Sequence, residues 1–149
     1  MRMITESWTR LAATAAVTGG LCWVAKQGVI AATVPASGGP PPESVPIAVL
    51  YLLGAALMAI GASGLVARVT VGWMTVLRVV VAVVVSPMIF WGVFTIIDML
   101  VDSIAGPEAG WWWPGEGAIA VTALLFASTG AAVLVRRSAV PTPTHIGQR

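Results

Sequence analysis

The sequence predicts an all-α integral membrane protein, a bundle of four transmembrane helices with both termini in the cytoplasm. Hydrophobic residues make up 58% of the 149-residue chain and charged residues only 9%, whereas a soluble domain carries about 25% charged residues. The apolar residues are gathered into four long stretches. When these stretches alternate in direction across a bilayer, arginines gather at one side and carboxylates at the other, as in multi-pass membrane proteins.

The transmembrane domain is expected to cover residues 1–137. Its four predicted spans are, approximately, residues 9–34, 46–67, 73–101 and 115–135. Each has about the 20 residues needed to cross the hydrocarbon layer. Strands are excluded because barrel strands have about 10 residues of alternating polarity. Backbone groups in lipid must pair within their own segment, which makes these stretches helices.

Proline and glycine mark the connections between the spans. The first span is followed by a Pro/Gly-rich connector over residues 35–43, and Pro46 opens the second span, where its missing N–H needs no partner. Ser86-Pro87 lies in the middle of the third span and is expected to kink it. Residues 138–149 are polar and contain two prolines, so we expect a disordered cytoplasmic tail.

A cleavable signal peptide is the alternative interpretation of the first span. Its apolar stretch is about twice as long as the usual 7–15 residues and carries Lys26 in its distal half, which favours a retained helix.

Charge gives the expected orientation. The residues expected at one side are Arg2, Arg10, Arg68, Arg78, Arg136, Arg137 and Arg149, and those at the other are Glu43, Asp98, Asp102, Glu108 and Glu116. The positive-inside rule places the arginine side in the cytoplasm, leaving only Glu6 and Lys26 on unexpected sides.

Tryptophans agree with this orientation. Trp8 and Trp73 fall at the inner boundary and Trp111, Trp112 and Trp113 at the outer, where indole rings prefer the headgroup level.

The composition, rich in Ala, Val and Gly with arginine preferred to lysine, resembles that of membrane proteins from GC-rich bacteria. We therefore expect a multi-pass protein of the bacterial inner membrane.

Small residues recur at helical spacing, which favours close packing of helices in lipid. The positions are Ala12, Ala15, Gly19 and Cys22 in the first span, Gly54, Gly61 and Gly64 in the second, and Ala123, Ala127 and Ala131 in the fourth. We expect them to pack one bundle together, with homodimerisation as the alternative.

Lys26 is the one cation expected within the membrane. It lies 16 residues beyond Arg10, about 24 Å along the helix, while Asp98 lies 20 residues beyond Arg78, about 30 Å. A snorkelling lysine stem can span that difference in depth. We therefore predict an ion pair between Lys26 and Asp98, shared with Asp102 one turn further on. An intramembrane charge is a functional candidate, but the shallow depth favours a structural role.

Reactive constellations are few. The only histidine is His145, in the tail, and the only cysteine is Cys22, so haem ligation, zinc hydrolysis and disulfide chemistry lack their residues. No phosphate-binding glycine loop and no basic stripe for nucleic acid are present. We expect no enzyme activity, no cofactor, no metal and no nucleic-acid partner.

Two functions remain open. The first is a non-catalytic subunit or scaffold that packs in the bilayer against a larger membrane complex or itself, as the small-residue faces suggest. The second is a small-solute transporter or channel, formed by a homo-oligomer, in which Lys26 attracts an anion. Its polar lining would be limited to Thr14, Thr18, Gln27 and Ser86, so we favour the first.

Overall fold

The computed structural model describes residues 2–33, 44–70, 72–106 and 113–138. In chain order the helices are α1 (Arg2–Thr33), α2 (Val45–Val69), α3 (Thr75–Ala105) and α4 (Trp113–Ser138). All four are long and apolar enough to cross a membrane, so the prediction of an all-helical chain with four membrane-length helices is confirmed. These helices indicate a multi-pass membrane protein. The predicted connector and the predicted tail lie outside the described residues, apart from Ser138.

Local sequence explains where several helices begin and end. Pro46 stands in the first turn of α2, where no N–H is needed. The amide of Gly106 donates a hydrogen bond to the carbonyl of Asp102 at 3.2 Å and ends α3. The φ of Gly106 is +74° and that of Gly72, in the turn between α2 and α3, is +93°, a region that favours glycine because a side chain would clash there. Helix α1 begins seven residues before the first predicted span, α3 ends four residues after the third, and α4 extends past the fourth at both ends.

Adjacent helices run antiparallel. Gly19 of α1 lies against Gly54 of α2, while Ala16 lies against Gly61, so the numbering of α2 falls as that of α1 rises. The same relation holds between α1 and α4, where Gly20 lies against Ala123. Helices α1 and α3 each pack against α2 and α4 and occupy opposite corners of the bundle. The beginning of α1 and the end of α4 therefore lie at the same end, here called the arginine end.

Small residues bring α1 close to both of its neighbours. A Cβ added at Gly19 would lie 2.8 Å from the Gly54 carbonyl oxygen, and one added at Gly20 would lie 2.6 Å from that of Ala123. Gly61 and Gly64 of α2 also face alanines of α1. The predicted small-residue faces of α1 and α2 are thus used for packing within one chain, the first of the two alternatives.

An aromatic cluster fills the half of the bundle away from the arginine end. Trp23 is fully buried and stacks on Tyr51, with ring centroids 5.4 Å apart and planes 4° apart. Its Nε1 donates to the Tyr51 carbonyl oxygen at 2.8 Å, so the indole enters the core with its polar group paired. The rings of Phe90 and Phe94 meet Trp23 edge to face, with centroids 5.8 and 5.9 Å from that of Trp23, and these contacts join α1 to α3 across the diagonal.

The outward surface of the helices is apolar. Helix α3 is the least covered, with Val76, Val83, Met88, Ile96 and Met99 all more than 60% exposed. Pro87 is also exposed, and α3 continues through it although the carbonyl of Val83 loses its usual donor. A surface of this kind is suited to contact with lipid. The kink expected at Ser86-Pro87 stays a prediction.

Arg78 fastens α2 to α3 at the arginine end. Its Nη2 donates to the Ala67 carbonyl oxygen at 2.9 Å and its Nε to Thr70 Oγ1 at 3.3 Å. The last carbonyls of a helix lack partners within the helix and carry partial negative charge. The guanidinium therefore caps the end of α2 and closes the hairpin formed by α2 and α3.

Candidate functional site

The polar centre of the bundle lies on α1 and α4, away from the arginine end. Lys26 follows the aromatic cluster by one turn, and its side chain is only 4% exposed. Glu116 stands in the first turn of α4 with its side chain 18% exposed. Because α1 and α4 are antiparallel, the late part of α1 meets the beginning of α4. The backbone thus places a buried lysine beside a partly buried carboxylate.

The carboxylate of Glu116 is held by two side chains of α1. Lys26 Nζ lies 2.6 Å from both carboxylate oxygens, and Gln27 Nε2 donates to Oε2 at 2.6 Å. Gln27 Nε2 also lies 3.3 Å from the Glu116 carbonyl oxygen. A buried charge pair is stable only when further hydrogen bonds satisfy the remaining lone pairs. Gln27 supplies one of these, so Lys26, Gln27 and Glu116 form one unit, here called the polar clamp.

Two features of the surroundings favour both charges of the polar clamp. The ring of Tyr51 lies beneath the ammonium, with Lys26 Nζ 5.6 Å from the ring centroid, within the range of a cation–π attraction. The position of Glu116 in the first turn of α4 puts its negative charge at the positive end of the helix dipole. The tyrosine stacked on Trp23 therefore couples the polar clamp to the aromatic cluster.

The predicted partners of Lys26 are wrong. The structure pairs Lys26 with Glu116 and gives it no salt bridge to Asp98 or Asp102, both of which are described. Asp98 and Asp102 belong to α3, which stands diagonally opposite α1, and Asp102 is exposed. The depth estimated from the sequence is compatible with Asp98 and with Glu116 alike, because depth along a helix does not tell which helix is the neighbour.

Glu116 was missed although one signal could have found it. In a four-helix bundle with short connections and alternating direction, the first helix lies beside the second and the fourth, and the third is diagonal. That rule gives α4, rather than α3, as the source of a partner for Lys26. Glu116 stands at the boundary of the predicted fourth span, and the charge pattern of the sequence indicates only the side of the membrane on which it lies.

The predicted tryptophan anchors are placed in part. Trp8 in α1 and Trp73 in the turn between α2 and α3 are 39% and 46% exposed, and both lie at the arginine end. This half-exposed state suits a ring that contacts both lipid chains and headgroups. Their position in a membrane stays a prediction. Trp111 and Trp112 lie outside the described residues, and of Trp113 the structure describes the backbone alone.

The chemistry available to the polar clamp is that of a neutralised ion pair. It presents one ammonium, one carboxylate and one amide, with the ammonium withdrawn from the surface. Within the described ranges, no group of three or more His, Cys, Asp or Glu side chains could hold a metal ion. No family model, curated protein or solved structure matches this chain.

Proposed function

We propose that the protein is a non-catalytic membrane subunit or scaffold of the bacterial inner membrane, which packs its helices against a larger membrane complex or a second copy of itself. The observation that carries this proposal is the polar clamp. Both charges of the polar clamp have their partners within the chain. Lys26 pairs with the carboxylate of Glu116, and Gln27 donates a further hydrogen bond to that carboxylate. What the bundle offers to its surroundings within the membrane is an apolar surface, widest on α3.

The transporter alternative has weaker support. It needs Lys26 as an anion site, yet both oxygens of Glu116 already occupy the ammonium at 2.6 Å. It also needs a polar path, but Thr14 and Thr18 face outward and are exposed, and Ser86 Oγ is buried without a hydrogen-bond partner among the described residues. These polar groups do not converge on one channel, which favours the scaffold.

Photocrosslinking in cells tests the scaffold. A photoreactive residue at Val84 on α3, 56% exposed, is expected to give a protein adduct of defined mass, because α3 offers the broadest uncovered surface. The matched position is Leu21 on α1, 58% exposed, where we expect less adduct because 39% of the span of α1 is buried within the bundle, against 11% of that of α3. A monodisperse protein with no adduct at either position, together with solute flux in liposomes, would favour the transporter instead.

The proposed orientation places both termini and the turn between α2 and α3 in the cytoplasm, following the positive-inside rule. In a Cys22→Ser background, single cysteines at Ser37 and Ala109 are expected to react with an impermeant thiol reagent applied to intact cells. A cysteine at Ser138 is expected to react only after the membrane is opened. Labelling of Ser138 from outside, or of Ala109 only from inside, would contradict this orientation.

A further inference from the structure

A cavity of about 210 Å³ lies in the half of the bundle near the arginine end. All four helices contribute to its wall, which includes Ala13, Ala16, Gly61, Val93, Phe126 and Val133. Alanine and glycine dominate the contributions of α1 and α2, so the same small residues that allow close packing leave this space where α3 stands back. Leu65 and Leu125, at its edge, are exposed, which opens the cavity on the outward surface of the bundle.

The lining of this cavity selects an apolar occupant. Among the described residues of its wall, Thr9 and Thr129 alone have polar side chains, and the hydroxyl of Thr129 donates to the Leu125 carbonyl oxygen at 2.6 Å. A cavity of roughly 150 Å³ lined by apolar side chains stays free of water and accepts benzene. The space here is larger and communicates with a surface that faces lipid chains. A segment of a hydrocarbon chain therefore fits it, and water does not.

Charge beyond the arginine end of the cavity indicates the kind of lipid. Arg10 lies one turn before Ala13, and Arg136 lies one turn after Val133, so both arginines follow the cavity wall towards the arginine end. Both are exposed, and neither forms a salt bridge with another described residue. Glu6 is the one carboxylate described at this end, so the local charge is positive in excess. A phosphate group at headgroup level would meet these guanidiniums.

We propose that this cavity is a binding site for one chain of an anionic glycerophospholipid whose phosphate is held by Arg10 and Arg136. The apolar wall accepts the chain and the two guanidiniums select the headgroup. The site is independent of the scaffold proposal, because it depends only on the cavity and on the two arginines beyond its arginine end.

Native mass spectrometry of the full chain in mild detergent tests the site. The protein is titrated with phosphatidylglycerol or with phosphatidylcholine carrying the same chains. We expect one phosphatidylglycerol per chain, bound about tenfold or more tightly than phosphatidylcholine, because each arginine near a headgroup contributes about 1 kcal/mol and 1.4 kcal/mol is tenfold. Equal binding of the two lipids would overturn the assignment of an anionic occupant.

Two sets of variants separate the contribution of the acyl chain to lipid binding from that of the headgroup. Val93→Phe puts a larger side chain into the cavity. It is expected to weaken the binding of both lipids about tenfold, because the acyl chain loses its contacts with the cavity wall. Val84→Phe, the same change on the exposed side of α3, is the matched control and is expected to bind as the unmodified protein does.

The double variant Arg10→Gln/Arg136→Gln changes only exposed side chains, so it decides the headgroup even if Val93→Phe fails to fold. It is expected to lose the preference for phosphatidylglycerol and to keep the affinity for phosphatidylcholine. Unchanged phosphatidylglycerol binding in a folded Val93→Phe variant, or an unchanged preference in the double arginine variant, would overturn the proposal.

Discussion

Replacing Lys26 with methionine is expected to destabilise the bundle by about 3 kcal/mol or more, because breaking a buried ion pair leaves the other charge without its partner. The carboxylate of Glu116 would keep Gln27 as a donor and lose both contacts with the ammonium. Glu116→Gln is expected to cost a similar amount, since the side chain of Lys26 is 4% exposed and would lose the carboxylate that balances its charge. Unfolding in mixed detergent micelles measures the free energy of unfolding of each variant.

The double variant Lys26→Met/Glu116→Gln shows whether the two residues interact. Replacing a buried ion pair by neutral groups of similar volume is often close to neutral, so the double variant is expected to recover about 2 kcal/mol relative to the sum of the single losses. Asp98→Asn is the matched control, another acid-to-amide change near the same end of the bundle, and its effect should add to that of Lys26→Met. Additive losses for Lys26 with Glu116 would contradict the polar clamp. Coupling of Lys26 with Asp98 would restore the pairing expected from the sequence.

The helical architecture was predictable because its signals are local. Segment length, apolar composition and proline positions depend on neighbouring residues only, and the bilayer removes strands as a competitor. The four predicted spans therefore agree with the four helices that the structure describes. The contact of Gly19 with Gly54 was partly predictable too, since small residues at helical spacing identify the face that a neighbouring helix approaches.

The partner of Lys26 was not predictable from depth. Counting residues along a helix gives the height of a charge in the membrane and leaves open which helix stands beside it. Asp98 and Glu116 both lie towards the end of the bundle opposite the arginines, but of the two helices that carry them, α3 and α4, α4 alone is adjacent to α1. The diagonal position of α3 excludes Asp98, although a long aromatic such as Trp23 still reaches Phe94 across that diagonal. Side-chain length and helix order decide the pairing together.

The cavity could not be read from the sequence at all. It depends on how far α3 stands from α1, which is set by the total volume of side chains between them rather than by any motif. The aromatic cluster around Trp23 fills one half of the bundle, and alanines such as Ala13 and Ala16 leave space in the other half. Binary patterns of polar and apolar residues carry no information about such differences in volume.

Gly20→Ala is expected to destabilise the bundle by about 2–3 kcal/mol, although alanine favours helices more than glycine does. The new Cβ would lie 2.6 Å from the Ala123 carbonyl oxygen and 2.8 Å from the Ala127 Cβ. Because the first of these atoms belongs to the backbone of α4, no rotamer change relieves the overlap and the helices must separate. Separation of α1 from α4 also lengthens the contacts of the polar clamp, six residues further along α1.

Gly28→Ala is the matched control, in the same helix and with the same change of residue. A Cβ at Gly28 meets no atom within 4 Å, so only helix propensity acts and we expect a gain of up to about 1 kcal/mol. Opposite signs for the two variants, measured by unfolding in mixed micelles, would support close packing of α1 against α4 as the main source of stability at this interface. Equal gains for both would mean that the two helices are further apart than the structure has them, and that the polar clamp is correspondingly looser.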